Sequence, residues 1–158
     1  YDLVPYEFAH IYLTDPFVRD LYTRRLRNIK NADVVLAISE ATRQDTIKHL
    51  QMSPEQVINI SAGVSPYFRP TPESDHERWR KHFAERYGIM RPFVMYTGGE
   101  DWRKNIEGLV DGFALLPPSL RKQHQLVIAC KMSENGKRLL LERAGAKGLS
   151  ADEVILTN

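Results

Sequence analysis

The sequence predicts an α/β protein built from Rossmann-like parallel sheets, and three observations carry that prediction. Beyond Pro92, short apolar segments alternate with amphipathic ones: Phe93 to Thr97, then Ile106 to Leu116, then Leu126 to Cys130, then Leu139 to Ala144, then Val154 to Thr157. Such alternation is the mark of strand–helix–strand units with right-handed crossovers. Ala32 to Ile38 forms a nearly unbroken apolar, β-branched run, the pattern of a strand buried on both faces of a parallel sheet. Between these regions, Ser61 to Pro72 holds three prolines and a glycine, which marks a linker.

The elements follow in order. The chain is expected to be irregular through Asp15. Phe17, Val18, Leu21, Tyr22, Leu26 and Ile29 then recur at helical spacing, with Pro16 suited to a first turn. After the strand at 32–38, Ser39 is placed to accept from the backbone N–H of Ala41 or Thr42 and so cap a helix, with Ile47 and Leu50 on its apolar edge. Val57 to Ile60 reads as a second short strand. Past the linker, Pro72 begins a polar helix to Tyr87, which Gly88 stops in a left-handed conformation with Ile89 folding back. The division is therefore residues 1–65, a linker at 66–72, and residues 73–158, with neither α/β unit carrying the five or six strands of a complete doubly wound domain.

Composition narrows the function classes. With 158 residues, 42% hydrophobic and 27% charged, the chain has the balance of a globular protein with a real core. A net charge of only +2, with both signs mixed along the chain, argues against a nucleic-acid partner. Cys130 is the single cysteine and lies in an apolar run, so a buried thiol is expected and no internal disulfide is possible, which suits a reducing compartment. No apolar run approaches a membrane span, and the start at Tyr1 shows no signal pattern, so a cytoplasmic location is expected. The lack of an initiator Met and the stop just after a strand-like segment predict a piece of something longer. The five histidines, His10, His49, His76, His82 and His124, show no paired ligand spacing, and no metal is expected.

The candidate site is the turn after the strand Phe93 to Thr97: Gly98, Gly99, Glu100, Asp101, Trp102, Arg103, Lys104 and Asn105. In open parallel sheets ligands bind at the carboxyl ends of strands, where a helix N-terminus presents unpaired N–H groups and a partial positive charge. The two glycines let backbone approach a bulky anion, and Arg103 and Lys104 at a helix head are electrostatically misplaced unless an anion is present. The competing reading is a tight turn with solvated basic side chains. Neither a Walker ending nor a third glycine is present, so it is neither a P-loop nor a dinucleotide fingerprint.

Several of these pieces together resemble a known family. Asp2-Leu3-Val4-Pro5, Ala32 to Thr42, Gly63-Val64 with Phe68-Arg69-Pro70, Tyr96-Thr97-Gly98-Gly99 and Arg103-Lys104-Asn105 are similar, in this order, to landmarks of the retaining group-1 type bacterial glycosyltransferases of the two-Rossmann-domain (GT-B) fold. The resemblance covers almost the whole chain. It implies that residues 1–65 end an acceptor-side domain and that 73–158 begin the donor-binding domain, with the active site in the cleft between domains. It implies that Lys104 grips the diphosphate of a nucleotide-sugar donor, with Gly98, Gly99 and Asn105 beside it, and stabilises the departing nucleoside diphosphate without a metal or other cofactor. The family's arginine after the first glycine is replaced here by Gly99, a loss that Arg103 is expected to offset. The family's paired glutamates lie further downstream, so these 158 residues alone are expected to be inactive. Asp2 maps beside an acceptor-side position where the family often carries a histidine, here Tyr1.

The reading that results is transfer of a hexose, with mannose suggested by the resemblance, from a nucleotide diphosphate sugar to a polysaccharide or lipid-linked glycan. The alternatives are a nucleotide-sugar epimerase of the same architecture and a non-catalytic nucleotide-sugar-binding or interaction module. Arg19, Arg24, Arg25, Arg27 and Lys30 flank the apolar stripe of the first long helix, so peripheral contact with an anionic membrane face is a further expectation, against the simpler reading of a wet basic face. Lys131, just past a strand, faces either a donor or solvent. Trp79 is expected to cover the core, and Trp102 is the better placed of the two tryptophans to stack on a ligand.

Overall fold

The computed structural model describes residues 2–157, so Tyr1 and the reading attached to it lie outside the described residues. The chain divides into two compact units, one ending at Arg69 and the other beginning at Pro70.

The first unit opens with two single helical turns, α1 (Val4–Glu7) and α2 (Ala9–Tyr12), where irregular chain was expected. Pro5 fits a first turn, and Asp2 Oδ1 accepts from Val4 N at 3.1 Å just ahead of it, although the N-cap Leu3 has no side-chain bond to offer. Helix α3 (Pro16–Lys30) starts where Asp15 accepts from Val18 N at 2.9 Å with Pro16 in the first turn. Strand β1 (Val35–Ala37), helix α4 (Glu40–Leu50) and strand β2 (Val57–Asn59) complete the unit. The Ser39 side chain caps α4 through Thr42 N at 3.1 Å. The two strands pair in parallel, Val35 opposite Val57, over a core of Leu3, Ala37, Leu50, Met52 and Val57.

The run 32–38 departs from its expected role. Only three residues form strand, and only one face is covered: Leu36 is 59% exposed, and Val34, Ile38, Ile58 and Ile60 are exposed with it. Unbroken apolar sequence records the absence of a polar face, and among the described residues α3 and α4 supply cover to the other face alone, through Leu26 and Ile47.

The second unit begins with helix α5 (Glu73–Tyr87), closed by Gly88 at φ 72° with Gly88 N donating to Ala84 O and Ile89 N to Phe83 O, the expected left-handed stop. Then come β3 (Phe93–Gly99), a 3₁₀ turn (Trp102–Lys104), α6 (Ile106–Ala114), α7 (Pro118–Gln123), β4 (Gln125–Lys131), α8 (Glu134–Ala146) and β5 (Val154–Leu156). The sheet is parallel throughout in the order β3-β4-β5. Helices α6 and α8 lie on one face of the sheet, where Val110, Phe113, Leu140 and Ala144 pack against Leu126, Ile128 and Cys130. Arg143 of α8 grips Asp111 of α6 with both prongs, Nε–Oδ1 at 2.8 Å and Nη2–Oδ2 at 2.6 Å. This guanidinium holds the Asp111 carboxyl below its ordinary range. Trp79 is 38% exposed and stacks on Phe83 along α5, a helix with no buried residue, rather than covering the core.

Gln125, at the head of β4, is the polar centre of this unit. Its side chain is buried; Oε1 accepts from Met90 N at 2.8 Å and Arg91 N at 3.0 Å, and Nε2 donates to Gly88 O at 3.0 Å and Asp152 O at 2.9 Å. One amide thus satisfies four backbone groups and ties the end of α5, the approach to β3 and the approach to β5 to the central strand.

Candidate functional site

The site is built where β3 ends. Gly98 and Gly99 are the last residues of the strand, and the turn that follows carries its basic residues on the 3₁₀ segment Trp102–Lys104, just before α6 rather than on it. Asp101 sets this geometry: its backbone oxygen accepts from Lys104 N at 2.9 Å and its Oδ1 accepts from Arg103 N at 3.0 Å. Asn105 then turns the chain at φ 49°, and its side-chain oxygen caps α6 through Gly108 N at 3.1 Å. Arg103 N on the turn and Gly108 N in the first turn of α6, which the sequence reading left open for a ligand, are therefore taken by side chains of the turn itself.

Gly98 and Gly99 differ in purpose. A Cβ on Gly98 would lie 2.6 Å from Tyr96 Oη, so its smallness makes room for a neighbouring side chain whose hydroxyl donates to Gly99 O at 2.9 Å. A Cβ on Gly99 would meet nothing within 4 Å, so the space beside this strand end is open. The two cations differ as well. Arg103 is forked onto Asp101, Nε–Oδ1 at 2.9 Å and Nη2–Oδ2 at 3.3 Å, so its charge is largely offset at home. The ammonium of Lys104 is exposed and has no hydrogen bond or ion pair among the described residues.

Glu100 plays a part that sequence reasoning missed. Its carboxylate accepts from Ser133 N at 2.7 Å and Ser133 Oγ at 3.0 Å, seating an anion at the N-terminus of α8, and a Cβ on Gly136 would run into it. Burial raises the thiol pKa of nearby Cys130, and the Glu100 charge adds to the effect. Beside the turn, between α6 and α8, a cavity of about 540 Å³ is lined by Glu100, Asp101, Trp102, Glu107 and Arg143 among others. Its three carboxylates make it a poor seat for a diphosphate, and Lys104 does not line it. Trp102 is 58% exposed at its mouth.

In the first unit, Asp2 lines a cavity of about 120 Å³ together with Leu36, Thr42 and Thr46, with its Oδ1 held by Val4 N. Ser39 and Thr42 are accounted for by the capping of α4. His49 lies 3.2 Å from Glu7, and with Asp45 one turn earlier on α4 the three present ligand atoms within 4.8 Å of one another. Spacing along the sequence conceals this group, because Glu7 is brought to it from 42 residues away.

Parallel strand–helix units, with a glycine-rich, basic turn at the carboxyl end of the first strand of the second unit, define the class: the chain has a GT-B-type glycosyltransferase fold. No family model matches it. Its sequence is 31% identical over 158 residues to a serotype-specific mannosyltransferase WbdA of Escherichia coli, covering 99% of this chain and 19% of that protein. A second WbdA is 30% identical over the same span. The chain thus spans about a fifth of the curated relatives it matches. Among solved structures, WaaG, a glycosyltransferase involved in lipopolysaccharide biosynthesis, superposes with a TM-score of 0.71 at 19% identity over 99% of this chain and 43% of WaaG. Anabaena HepE, solved in complex with UDP and glucose, superposes with a TM-score of 0.65 at 21% identity over 83% of this chain and 35% of HepE.

Proposed function

We propose that the protein to which these residues belong is a retaining hexosyltransferase that moves mannose from a nucleotide diphosphate sugar to a polysaccharide or lipid-linked glycan. The first unit belongs to the acceptor side and the second begins the donor-binding domain. The observation that carries this reading is Lys104: an exposed ammonium, without an ion pair among the described residues, on the turn that leaves β3 after the open backbone of Gly99. A cation placed at a helix entrance without a counter-ion favours an incoming anion.

In the reaction, negative charge grows on the nucleoside diphosphate as the anomeric carbon becomes oxocarbenium-like. Lys104 stabilises that charge more than it stabilises the intact donor, which lowers the barrier to departure. This positive charge does the work that a bound cation does elsewhere, so no metal is needed. Arg103, clamped by Asp101, holds the turn in shape and keeps Lys104 presented. Mannose is supported by the likeness to WbdA, and a uridine diphosphate donor by the likeness to HepE.

A peripheral contact with the inner membrane face belongs to the same reading. Helix α3 exposes Arg24, Arg25, Arg27 and Lys30, and Phe17 at its start is 72% exposed. No helix among the described residues is long and apolar enough to cross a membrane.

Calorimetric titration with UDP, GDP and their sugar conjugates tests the reading. Binding by the parent chain that Lys104→Ala abolishes, with the fold intact, is the expected result, and the preferred base identifies the donor class. Equal binding by both proteins refutes the role of Lys104.

A further inference from the structure

The pairing register places a second lysine at the same site. Gly99, the last residue of β3, lies directly opposite Lys131, the last residue of β4. Paired residues of adjacent parallel strands sit roughly 4.8 Å apart and present side chains to the same face. Leu126, Ile128 and Cys130 point into the core under α6 and α8, so Lys131, like Gly99 beside it, belongs to the opposite face and is exposed.

Lys131 is also one of the basic side chains of this unit that make no ion pair among the described residues, a set that includes Lys104 on the turn, Arg78, Arg80 and Arg86 on α5 and Lys122 on α7. Arg91, Arg121, Lys137, Arg138, Arg143 and Lys147 each lie within ion-pair distance of a carboxylate. Arg103 is paired with Asp101. Lys131 and Lys104 have no such partner among the described residues. The nearest carboxylate in sequence to the strand end, Glu100, is held on the α8 N-cap at Ser133 and makes no ion pair with either lysine among the described residues. Lys104 lies on the turn beyond β3 and Lys131 at the end of the neighbouring β4, so both cations are on the carboxyl side of the sheet, where each attracts an incoming anion. Gly99 leaves the space next to Lys131 empty, since even a Cβ there would touch nothing within 4 Å.

We infer that Lys131 is a second phosphate-binding cation of the donor site, supplied by β4 and contacting the diphosphate across the gap that Gly99 leaves in β3. The inference rests on the reading of the Lys104 turn as the diphosphate grip. It assigns Arg103 to positioning and Lys131 to direct contact, the reverse of what their places in the sequence suggest.

The test is a titration of the isotope-labelled chain with inorganic pyrophosphate and with UDP, read from backbone amide signals, alongside Lys131→Ala, Lys131→Arg, Lys104→Ala and a thermal melt of each. Amide shifts are expected at Gly98 to Lys104 and at Lys131. Lys131→Ala is expected to raise Kd about tenfold for both ligands, with Lys131→Arg recovering most of the loss and the melting temperature unchanged. If Lys131→Ala binds as tightly as the parent while Lys104→Ala does not, the inference about Lys131 falls and the function proposed above stands. If neither ligand moves any amide of the turn, or if sulfate moves them as strongly as pyrophosphate, both fall.

Discussion

The two units solve the same problem with unequal means. In the first, two three-residue strands rest on five buried apolar residues and leave Leu36, Ile58 and Ile60 in the open. In the second, β4 runs for seven residues between two partners, and eleven buried residues make a continuous core with α6 and α8. The basic turn hangs on the better built unit. A grip on a charged ligand requires groups held in place before the ligand arrives; β3, from which the turn leaves, is exposed apart from Tyr96, so the turn is held by the pairing of β3 with the buried β4 and by the buried Ile106 that follows it.

The sharpest way to break this comparison is to empty one core position in each unit. Leu126, fully buried in β4, truncated to Ala should cost about 4 kcal/mol, whereas Leu50→Ala in the thinner first core should cost about 2 kcal/mol, both from denaturant unfolding. Equal losses would mean that the two cores are equally tight. Next in size, Gln125→Leu keeps the volume but orphans Met90 N and Arg91 N, a loss of about 2–3 kcal/mol; an unaltered midpoint would show that water serves these groups instead. Hydrogen exchange sharpens the contrast without mutation: amides of Val127 and Ile128 should outlast those of Val35 and Leu36 by orders of magnitude. The smallest effect concerns pH. The Asp111 carboxyl is depressed by Arg143, so its contribution is present above the ordinary carboxylate range and fades as pH falls through the lowered folded value. Asp111→Asn should therefore melt earlier than the parent at neutral pH and together with it in strong acid; a gap that persists in acid would assign the effect to packing.

Much of this architecture was legible in advance because it rests on local signals. The alternation beyond Pro92, the cap at Ser39 and the stop at Gly88 all involve partners within a few residues, and each appears where expected. Helix α7 went unread between Leu116 and Leu126, although Pro118 in its first turn is the local signal that starts it. The burial of the run 32–38 was overestimated, since apolar sequence says what a strand tolerates and not what covers it. At the site, the glycines and Lys104 stood out by their spacing. The seat of Glu100 on Ser133, 33 residues away, and the pairing of Lys131 with Gly99 are fixed only by the register of the sheet, which no local pattern encodes.

Three glycines of the second unit mark places where a neighbour's side chain fills the room a Cβ would take: Tyr96 at Gly98, Asn105 at Gly108, and Glu100 at Gly136. Each pair is expected to behave as one inherited character. A lineage that enlarges the glycine must shrink or redirect its neighbour in the same step, and one that loses the neighbour is released to vary the glycine. Related sequences should therefore change at these positions two at a time, and the pair joining Glu100 to Gly136 would record, in descent alone, that the end of β3 and the start of α8 have been kept together.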